Sequence, residues 1–541
     1  MFRPFVGSLL LAALTFLFGG CGLINAITTT AHESETISVA TVWEHDHVIS
    51  GTLTVNAPLT IRACANIKME NGGSIVVRDN GSIIAIGSAD CDTRFTSSKT
   101  IPSAGDWDAI YIYNTASAGN AFEKVTFEYG GGNYGVLWIE DNASVRVDAS
   151  TFAHIKGTAV MIEDGATIGS FVGNSFKSIG GNPVWTSGNI VPSLSPVITT
   201  DLTAAVNRVH IDGTTVTESG TWKDLGIPYE IDGINFHATV TVEAGTTIAV
   251  MPNEIVNVSE NGALIMVGTV AQRITVTSAK TTPKAGDWDY IGIYNTASED
   301  NRFEYVDFKY GGSMYGIFWV EQGATVSFDN CLFSDITGPG MEMKDVTLGS
   351  FTGNSFKKIS EYPLVVTASV VPSLSPITTA ELTAGKDRVH VVGGYTEIGG
   401  LWKELGLPYE LEGLSFRSPV TVEAGTTILI EPNEIINIAD NGSLILDGTA
   451  DKRITVKSNK TTPAAGDWNY FGFYNTSSNE NRFSYADIMH GGSGNYGQIW
   501  VEQDATLTLE HVVFSEGDTC DIDADEDAIL NVTDTTFVAC P

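Results

Sequence analysis

Aromatic residues beside glycine recur at three places in this sequence of 541 residues, about 180 positions apart. The positions are Trp107, Trp288 and Trp468 after Gly-Asp, Tyr134, Tyr315 and Tyr496 before glycine, and Trp138, Trp319 and Trp500 shortly after those tyrosines. Rings on a protein surface stack on sugar rings, whereas rings in the interior fill corners where glycine lets the backbone pass close. The pattern therefore predicts either a series of ligand-stacking platforms or a repeated packing motif.

Carboxylates accompany these aromatic residues. Aspartates precede the first set of tryptophans and glutamates follow the second set, at Asp106, Asp287 and Asp467, and at Glu140, Glu321 and Glu502. Cleavage of a polysaccharide would need acids paired about a sugar, or acidic clusters that hold calcium beside a basic residue. The three repeats contain no unique polar cluster of that kind, so we assign no catalytic residue. A lyase, hydrolase or epimerase working in a lateral groove is the alternative.

Metal-binding patterns are weak. His45 and His47 would face the same side of a strand, where they either share a metal or are simply exposed. Asp521, Asp523 and Asp525 have the spacing of a calcium loop, but Glu526 stands where an EF-hand needs glycine. We therefore predict no dedicated metal site and no cofactor, with calcium on these three aspartates as the alternative.

The charge of the chain is strongly negative, with 64 Asp and Glu against 29 Lys and Arg and a net charge of −35. Such a surface repels phosphate backbones, so nucleic acid is excluded as a partner.

The N-terminus has the features of an export signal. Arg3 precedes an apolar run from Phe5 to Phe18 that is short for a membrane span. The sequence Leu17-Phe18-Gly19-Gly20-Cys21 resembles the lipobox of bacterial lipoproteins, which implies a lipid on Cys21 and a membrane anchor, on the outer membrane or cell surface. An ordinary signal peptide is the alternative. Residues 1–20 are thus predicted to be the signal and residues 21–40 a tether.

Five further cysteines suit an exported protein. Cys64 and Cys91 lie 27 residues apart, and Cys520 and Cys540 flank the last segment, so two disulfides are predicted. Cys331 stands among apolar residues and is predicted to be buried.

The elements that carry these residues are short strands. Alternating runs such as Thr239–Ile248 are broken by Asn-Gly or Ala-Gly every 8–12 residues, and helical periodicity is nearly absent. Sandwich domains in a row and a parallel β-helix both fit this pattern. Weaker repeats of about 20–25 residues within each long repeat favour the β-helix, because they match successive coils.

The order of motifs in the second repeat is VTVEAGTTI, NGALIMVGT, RITVTS, GDW, IGIYNTAS, FEYVDFKYGG, YGIFWV and GNSF, after W-x-x-L-G-x-P-Y. It resembles the right-handed parallel β-helix repeat proteins of bacterial surfaces, within the pectin-lyase-like superfamily, over residues 41–541. The resemblance implies an all-β right-handed β-helix of three tandem repeats, 41–200, 201–380 and 381–541, the last with a C-terminal cap. The Asn-Thr-Asp and Asp-Asp motifs of galacturonase-like members are absent.

These features together predict a non-catalytic, lipid-anchored rod on the cell surface. It would present a binding surface to polysaccharides or to surface proteins, in an adhesive role. A structural spacer without a ligand is a further possibility.

Overall fold

The computed structural model describes residues 29–541, except 297, 322, 477 and 493–495. This part of the chain folds into 56 β-strands and two single-turn 3-10 helices, Val191–Ser193 and Val371–Ser373. All paired strands are parallel, and they form a solenoid of about 20 turns. The prediction of an all-β parallel β-helix is confirmed. Within residues 29–541, apart from those six positions, no helix has the length and apolar character to cross a membrane.

The strands of the first repeat are β1 (Thr30–Ile37), β2 (Thr41–Trp43), β3 (His47–Val55), β4 (Pro58–Ile61), β5 (Asn66–Met69), β6 (Ser74–Val77), β7 (Ser82–Ile86), β8 (Thr93–Ser97), β9 (Ile110–Ile112), β10 (Asn120–Glu123), β11 (Val125–Glu128), β12 (Leu137–Ile139), β13 (Ser144–Asp148), β14 (Thr151–Ile155), β15 (Val160–Ile162), β16 (Thr167–Ser170), β17 (Ser175–Ile179) and β18 (Val184–Thr186).

The strands of the second repeat are β19 (Val209–Ile211), β20 (Thr215–Val216), β21 (Gly220–Trp222), β22 (Tyr229–Ile231), β23 (Ile234–Phe236), β24 (Thr239–Val242), β25 (Thr247–Val250), β26 (Val256–Glu260), β27 (Ala263–Val267), β28 (Ile274–Ser278), β29 (Ile291–Thr296), β30 (Asn301–Glu304), β31 (Val306–Lys309), β32 (Phe318–Val320), β33 (Thr325–Asp329), β34 (Leu332–Ile336), β35 (Met341–Met343), β36 (Thr347–Thr352), β37 (Ser355–Ile359) and β38 (Leu364–Thr367).

The strands of the third repeat are β39 (Val389–Val392), β40 (Gly394–Tyr395), β41 (Gly400–Trp402), β42 (Tyr409–Leu411), β43 (Leu414–Phe416), β44 (Pro419–Glu423), β45 (Thr427–Ile430), β46 (Ile436–Asp440), β47 (Ser443–Asp447), β48 (Ile454–Ser458), β49 (Phe471–Thr476), β50 (Arg482–Ser484), β51 (Ala486–Met489), β52 (Ile499–Val501), β53 (Thr506–Glu510), β54 (Val513–Ser515), β55 (Ile522–Ala524) and β56 (Ile529–Thr533).

Each coil contributes one strand to each of three faces. In the second repeat the first face begins with β19, β22 and β25, the second face with β20, β23 and β26, and the third face with β21, β24 and β27. The third repeat follows the same order from β39, β40 and β41. Because most strands pair with the strand of the next coil, the backbone groups within a face are satisfied by stacking, as in other solenoids.

Successive repeats are turned by one face around the solenoid axis. Strand β18, which ends the second face of the first repeat, pairs with β19, which starts the first face of the second repeat. Strands β38 and β39 repeat this arrangement at the next junction. The second face of one repeat is therefore continued by the first face of the next, and equivalent residues of the three repeats point in three different directions.

Stacked side chains fill the interior. On the first face of the first repeat, Phe127, Phe152 and Phe176 occupy matched register positions with ring centroids 4.8 and 5.2 Å apart. Buried asparagines close the turns: Asn301 Oδ1 accepts the Leu264 N–H at 3.0 Å, and its Nδ2 donates to Thr325 O. These amides replace backbone partners that a sharp turn would leave unpaired.

Both predicted disulfides, Cys64–Cys91 and Cys520–Cys540, are present, and Cys331 is buried as expected. The predicted signal, Cys21 and the first part of the tether lie outside the described residues. The tether prediction is wrong for residues 30–37, which form β1 and pair with β3. This strand covers the first coil, so its backbone joins the ladder rather than forming a linker.

Candidate functional site

The tryptophans that follow Gly-Asp are core residues. Trp107, Trp288 and Trp468 are at most 1% exposed. The Trp288 indole N–H donates to the Lys309 carbonyl at 3.0 Å, and a Cβ on Gly311 would lie 2.6 Å from the indole ring. A ring held in this way cannot contact a ligand without leaving the core. The expectation that these three tryptophans stack on a ligand is therefore wrong, and the packing alternative accounts for them.

The aspartates before these tryptophans close a loop. Asp287 accepts the Lys280 ammonium at 2.7 Å, the Ser278 hydroxyl at 2.8 Å and the Lys284 backbone N–H at 2.8 Å. Burial raises the pKa of its carboxyl, but these hydrogen bonds and the Lys280 charge outweigh burial and lower it below its usual value. Asp106 and Asp467 have equivalent contacts. These carboxylates stabilise the loop, and their oxygens already accept hydrogen bonds from it.

The second set of tryptophans lies at the surface, on the second face of each repeat. Each indole is partly exposed and is surrounded by three tyrosines. We name these groups cluster 1 (Tyr111, Tyr113, Tyr134, Trp138), cluster 2 (Tyr290, Tyr294, Tyr315, Trp319) and cluster 3 (Tyr470, Tyr474, Tyr496, Trp500). Ring centroids of each tryptophan lie 4.9–6.1 Å from those of its tyrosines.

The clusters reach the same composition through different residues. In cluster 2, Tyr290 and Tyr294 flank Gly292, which is the register partner of Trp319, and a Cβ at Gly292 would lie 3.2 Å from each of the two rings. In the first repeat the register partner of Trp138 is Tyr111 itself, and the position equivalent to Tyr290 is the buried Ala109. A tyrosine ring is thus kept against the tryptophan although its position in the strand has moved by two residues.

Short glycine loops present the outermost tyrosines. Tyr134 is 50% exposed and Tyr496 is 39% exposed. Gly132 and Gly135 form an antiparallel bridge around Tyr134, and Gly135 has a φ of +91°, which other residues rarely adopt. The Tyr-Gly pair is therefore a tight turn that holds a ring over the neighbouring indole.

Polar groups border the rings. The Trp138 indole N–H donates to Glu163 Oε1 at 2.9 Å, and the Tyr111 hydroxyl donates to Asp108 Oδ2 at 2.7 Å. Burial, and then Asp108, raises the pKa of Tyr111 above its usual value, so its hydroxyl stays protonated. Beside cluster 3, Glu502, Asp440 and Asp504 line an open groove of about 760 Å³. Each cluster thus combines apolar ring faces with hydroxyl and carboxylate groups.

The clusters face three directions. Seven strand steps, through β15, β18, β19, β22, β25, β28 and β31, lead from β12 of cluster 1 to the coil that carries cluster 2. At ~4.8 Å per strand this is roughly 34 Å along the axis. Because the second repeat is also turned by one face, the clusters do not form a straight row along the solenoid.

The residues considered for metal binding in the sequence do not converge. His47 is buried, and its Nδ1 lies 2.7 Å from Nε2 of His32, whereas His45 is exposed. Asp521 accepts the Val538 N–H at 2.8 Å and the Gln498 amide at 3.1 Å. Asp523 and Asp525 join no group of three close ligands in the part of the chain that the structure describes.

Sequence reasoning missed a polar group at the junction of the second and third repeats. Arg388 donates to Glu410, which also accepts the hydroxyl of Tyr362, and His390 is the register partner of Glu410. The signal is the recurrence of Arg-x-His and Tyr-Glu in both junctions, with Arg208, His210 and Glu230 in the first. The two junctions differ at Tyr362, because the equivalent position of the first junction is Asn182.

No protein-family model, no curated protein sequence and no solved structure matches this chain.

Proposed function

We propose that this protein is a cell-surface rod that binds polysaccharide through clusters 1, 2 and 3. The observation that carries the proposal is the recurrence, on the second face of every repeat, of one partly exposed tryptophan surrounded by three tyrosines. Aromatic faces with hydroxyl and carboxylate groups at their edges suit sugar rings, because pyranose C–H faces are apolar and their rims carry hydroxyls.

The composition of the clusters argues against a purely structural role. A packing motif requires the same residue at the same strand position, as Trp107, Trp288 and Trp468 illustrate. In the clusters, by contrast, one tyrosine stands at position 111 in the first repeat and at position 290 in the second, and these positions are not equivalent. Both rings nevertheless contact the tryptophan of their cluster. Selection for an exposed aromatic surface explains this exchange better than selection for a packed core.

Export and lipid attachment at Cys21 are part of the proposal. The lipobox-like sequence, the two disulfides and the negative surface support it, since disulfides persist in oxidising compartments. Attachment through Cys21 would place the membrane at the N-terminal end of the rod. The three clusters would then be presented on three faces of the rod. Labelling with palmitate in a bacterial host, compared between the native chain and Cys21→Ala, tests this part: the label should be lost in the variant.

The binding proposal is tested by passing the purified protein over immobilised acidic and neutral polysaccharides, with and without calcium, while reducing ends and unsaturated products are followed. Retention without product is expected. Formation of product would instead support the alternative, a lyase, hydrolase or epimerase. Absence of both retention and product from the whole panel would support a spacer and overturn the proposal.

A further inference from the structure

The junction between the second and third repeats carries three metal-ligating side chains on neighbouring coils. His390 lies on β39, Glu410 on β42, and Glu431 directly after β45. His390 Nδ1 is 3.5 Å from Glu410 Oε1 and 4.0 Å from Glu431 Oε1, and the three donor atoms all lie within 4.8 Å of one another. In the described part of the chain, no other three His, Cys, Asp or Glu residues meet this closely.

The imidazole nitrogen in this group lies between two carboxylates. His390 Nδ1 is buried, and its distances of 3.5 and 4.0 Å to the Glu410 and Glu431 oxygens are longer than those of a good hydrogen bond. One neutral imidazole nitrogen and two carboxylate oxygens that lie this close together are a donor set that can bind a divalent ion. We propose that a divalent transition-metal ion such as Zn²⁺ binds between these three side chains, with His390 Nδ1, Glu410 Oε1 and Glu431 Oε1 as its ligands.

The dimensions and surroundings suit such an ion. Ligand bonds of 2.0–2.2 Å in a tetrahedron place ligand atoms about 3.4 Å apart, so only Glu431 needs to move closer. Tyr362 and Asn459 hydrogen-bond Glu410 and fix its orientation, as outer partners of metal ligands do. Glu431 is 29% exposed in its side chain and gives the ion an entry path. One nitrogen donor among three ligands favours zinc over calcium.

The preceding junction supplies an internal comparison. His210 and Glu230 stand at the positions of His390 and Glu410, but Met251 replaces Glu431. There His210 Nδ1 lies 3.3 Å from Glu230 Oε1 and forms a hydrogen bond with it. Where the second carboxylate is absent, the imidazole bonds to the first; where it is present, the nitrogen lies between the two. Only the second of these two junctions therefore offers a third ligand.

The test is calorimetric titration of the chelator-treated full protein with Zn²⁺, with bound metal counted by elemental analysis. One equivalent is expected for the native chain and none for Glu431→Met, which copies the first junction. Met251→Glu should raise the count to two, with both equivalents bound at similar affinity. Near-ultraviolet circular dichroism checks that each variant keeps its fold.

Two results would overturn the proposal. One is a native protein that takes up no zinc at micromolar concentration. The other is a folded Glu431→Met variant that retains the full equivalent with unchanged affinity, because the ion would then lie elsewhere.

Discussion

Replacing the partly exposed tryptophan of one cluster should weaken one binding site and leave the other two unchanged. In Trp319→Ala the loss is confined to cluster 2, since clusters 1 and 3 lie on other faces, the former roughly 34 Å away along the axis. A sugar that covers about a quarter of the 150–250 Å² of an aromatic side chain buries roughly 50 Å². At about 25 cal/mol per Å² this gives roughly 1.3 kcal/mol, or an affinity about tenfold weaker at that site.

The assay is calorimetry with a short oligosaccharide from a polysaccharide that the protein retains. The native protein should bind three equivalents with one dissociation constant, and Trp319→Ala should bind two with that same constant and the third about tenfold more weakly. Trp288→Phe is the matched control, because it alters a buried tryptophan of the same repeat and should lower the melting temperature while keeping three equivalents. Retention of three equal sites by Trp319→Ala, or loss of all binding at once, would refute the reasoning.

Two further predictions concern stability. Gly311→Ala places a Cβ 2.6 Å from the Trp288 ring and should lower the free energy of unfolding by about 1–3 kcal/mol in denaturant titrations. Gly169→Ala is the control, because its Cβ would meet only a carbonyl at 3.8 Å, and it should leave the free energy of unfolding nearly unchanged. Burial, and then the charge of His32, lowers the pKa of His47 to about 4, from about 6.5 in the unfolded chain. The unfolded state therefore takes up the proton first, so stability should fall by up to about 3 kcal/mol as the pH drops from 6.5 to 4. Protection factors from hydrogen exchange in residues 30–55, which correct for the pH dependence of intrinsic exchange, measure this loss, and protection that stays constant from pH 6.5 to 4 would contradict it.

Much of the fold follows from local patterns. In Leu137-Trp138-Ile139, the strand alternation buries Leu137 and Ile139 and turns the indole outward, so the exposure of Trp138 could have been predicted from period two alone. Trp107 lies before a strand, where no alternation applies. Its ring packs against Gly130, and the sequence alone does not show that these two residues are in contact. Position in a strand therefore separates surface tryptophans from core tryptophans better than the repeated motif does.

The remaining features depend on register across coils. Glu410 and Tyr362 are 48 residues apart, and they meet only because a strand on the same face follows two coils later. The turn of each repeat by one face depends on how the chain between β18 and β19 wraps around the coil. Arg-x-His and Tyr-Glu recur in the sequence, but the contacts of the polar junction and the three directions of the clusters emerge only from the stacked structure.

The central claim is that the partly exposed tryptophans are where sugar rings bind. It is tested most directly by a crystal structure of the protein with a retained oligosaccharide. Sugar rings should stack over Trp138, Trp319 and Trp500, on three faces of the solenoid. Sugar bound only in the acidic groove beside Asp440 and Glu502, with all three indoles free, would contradict it.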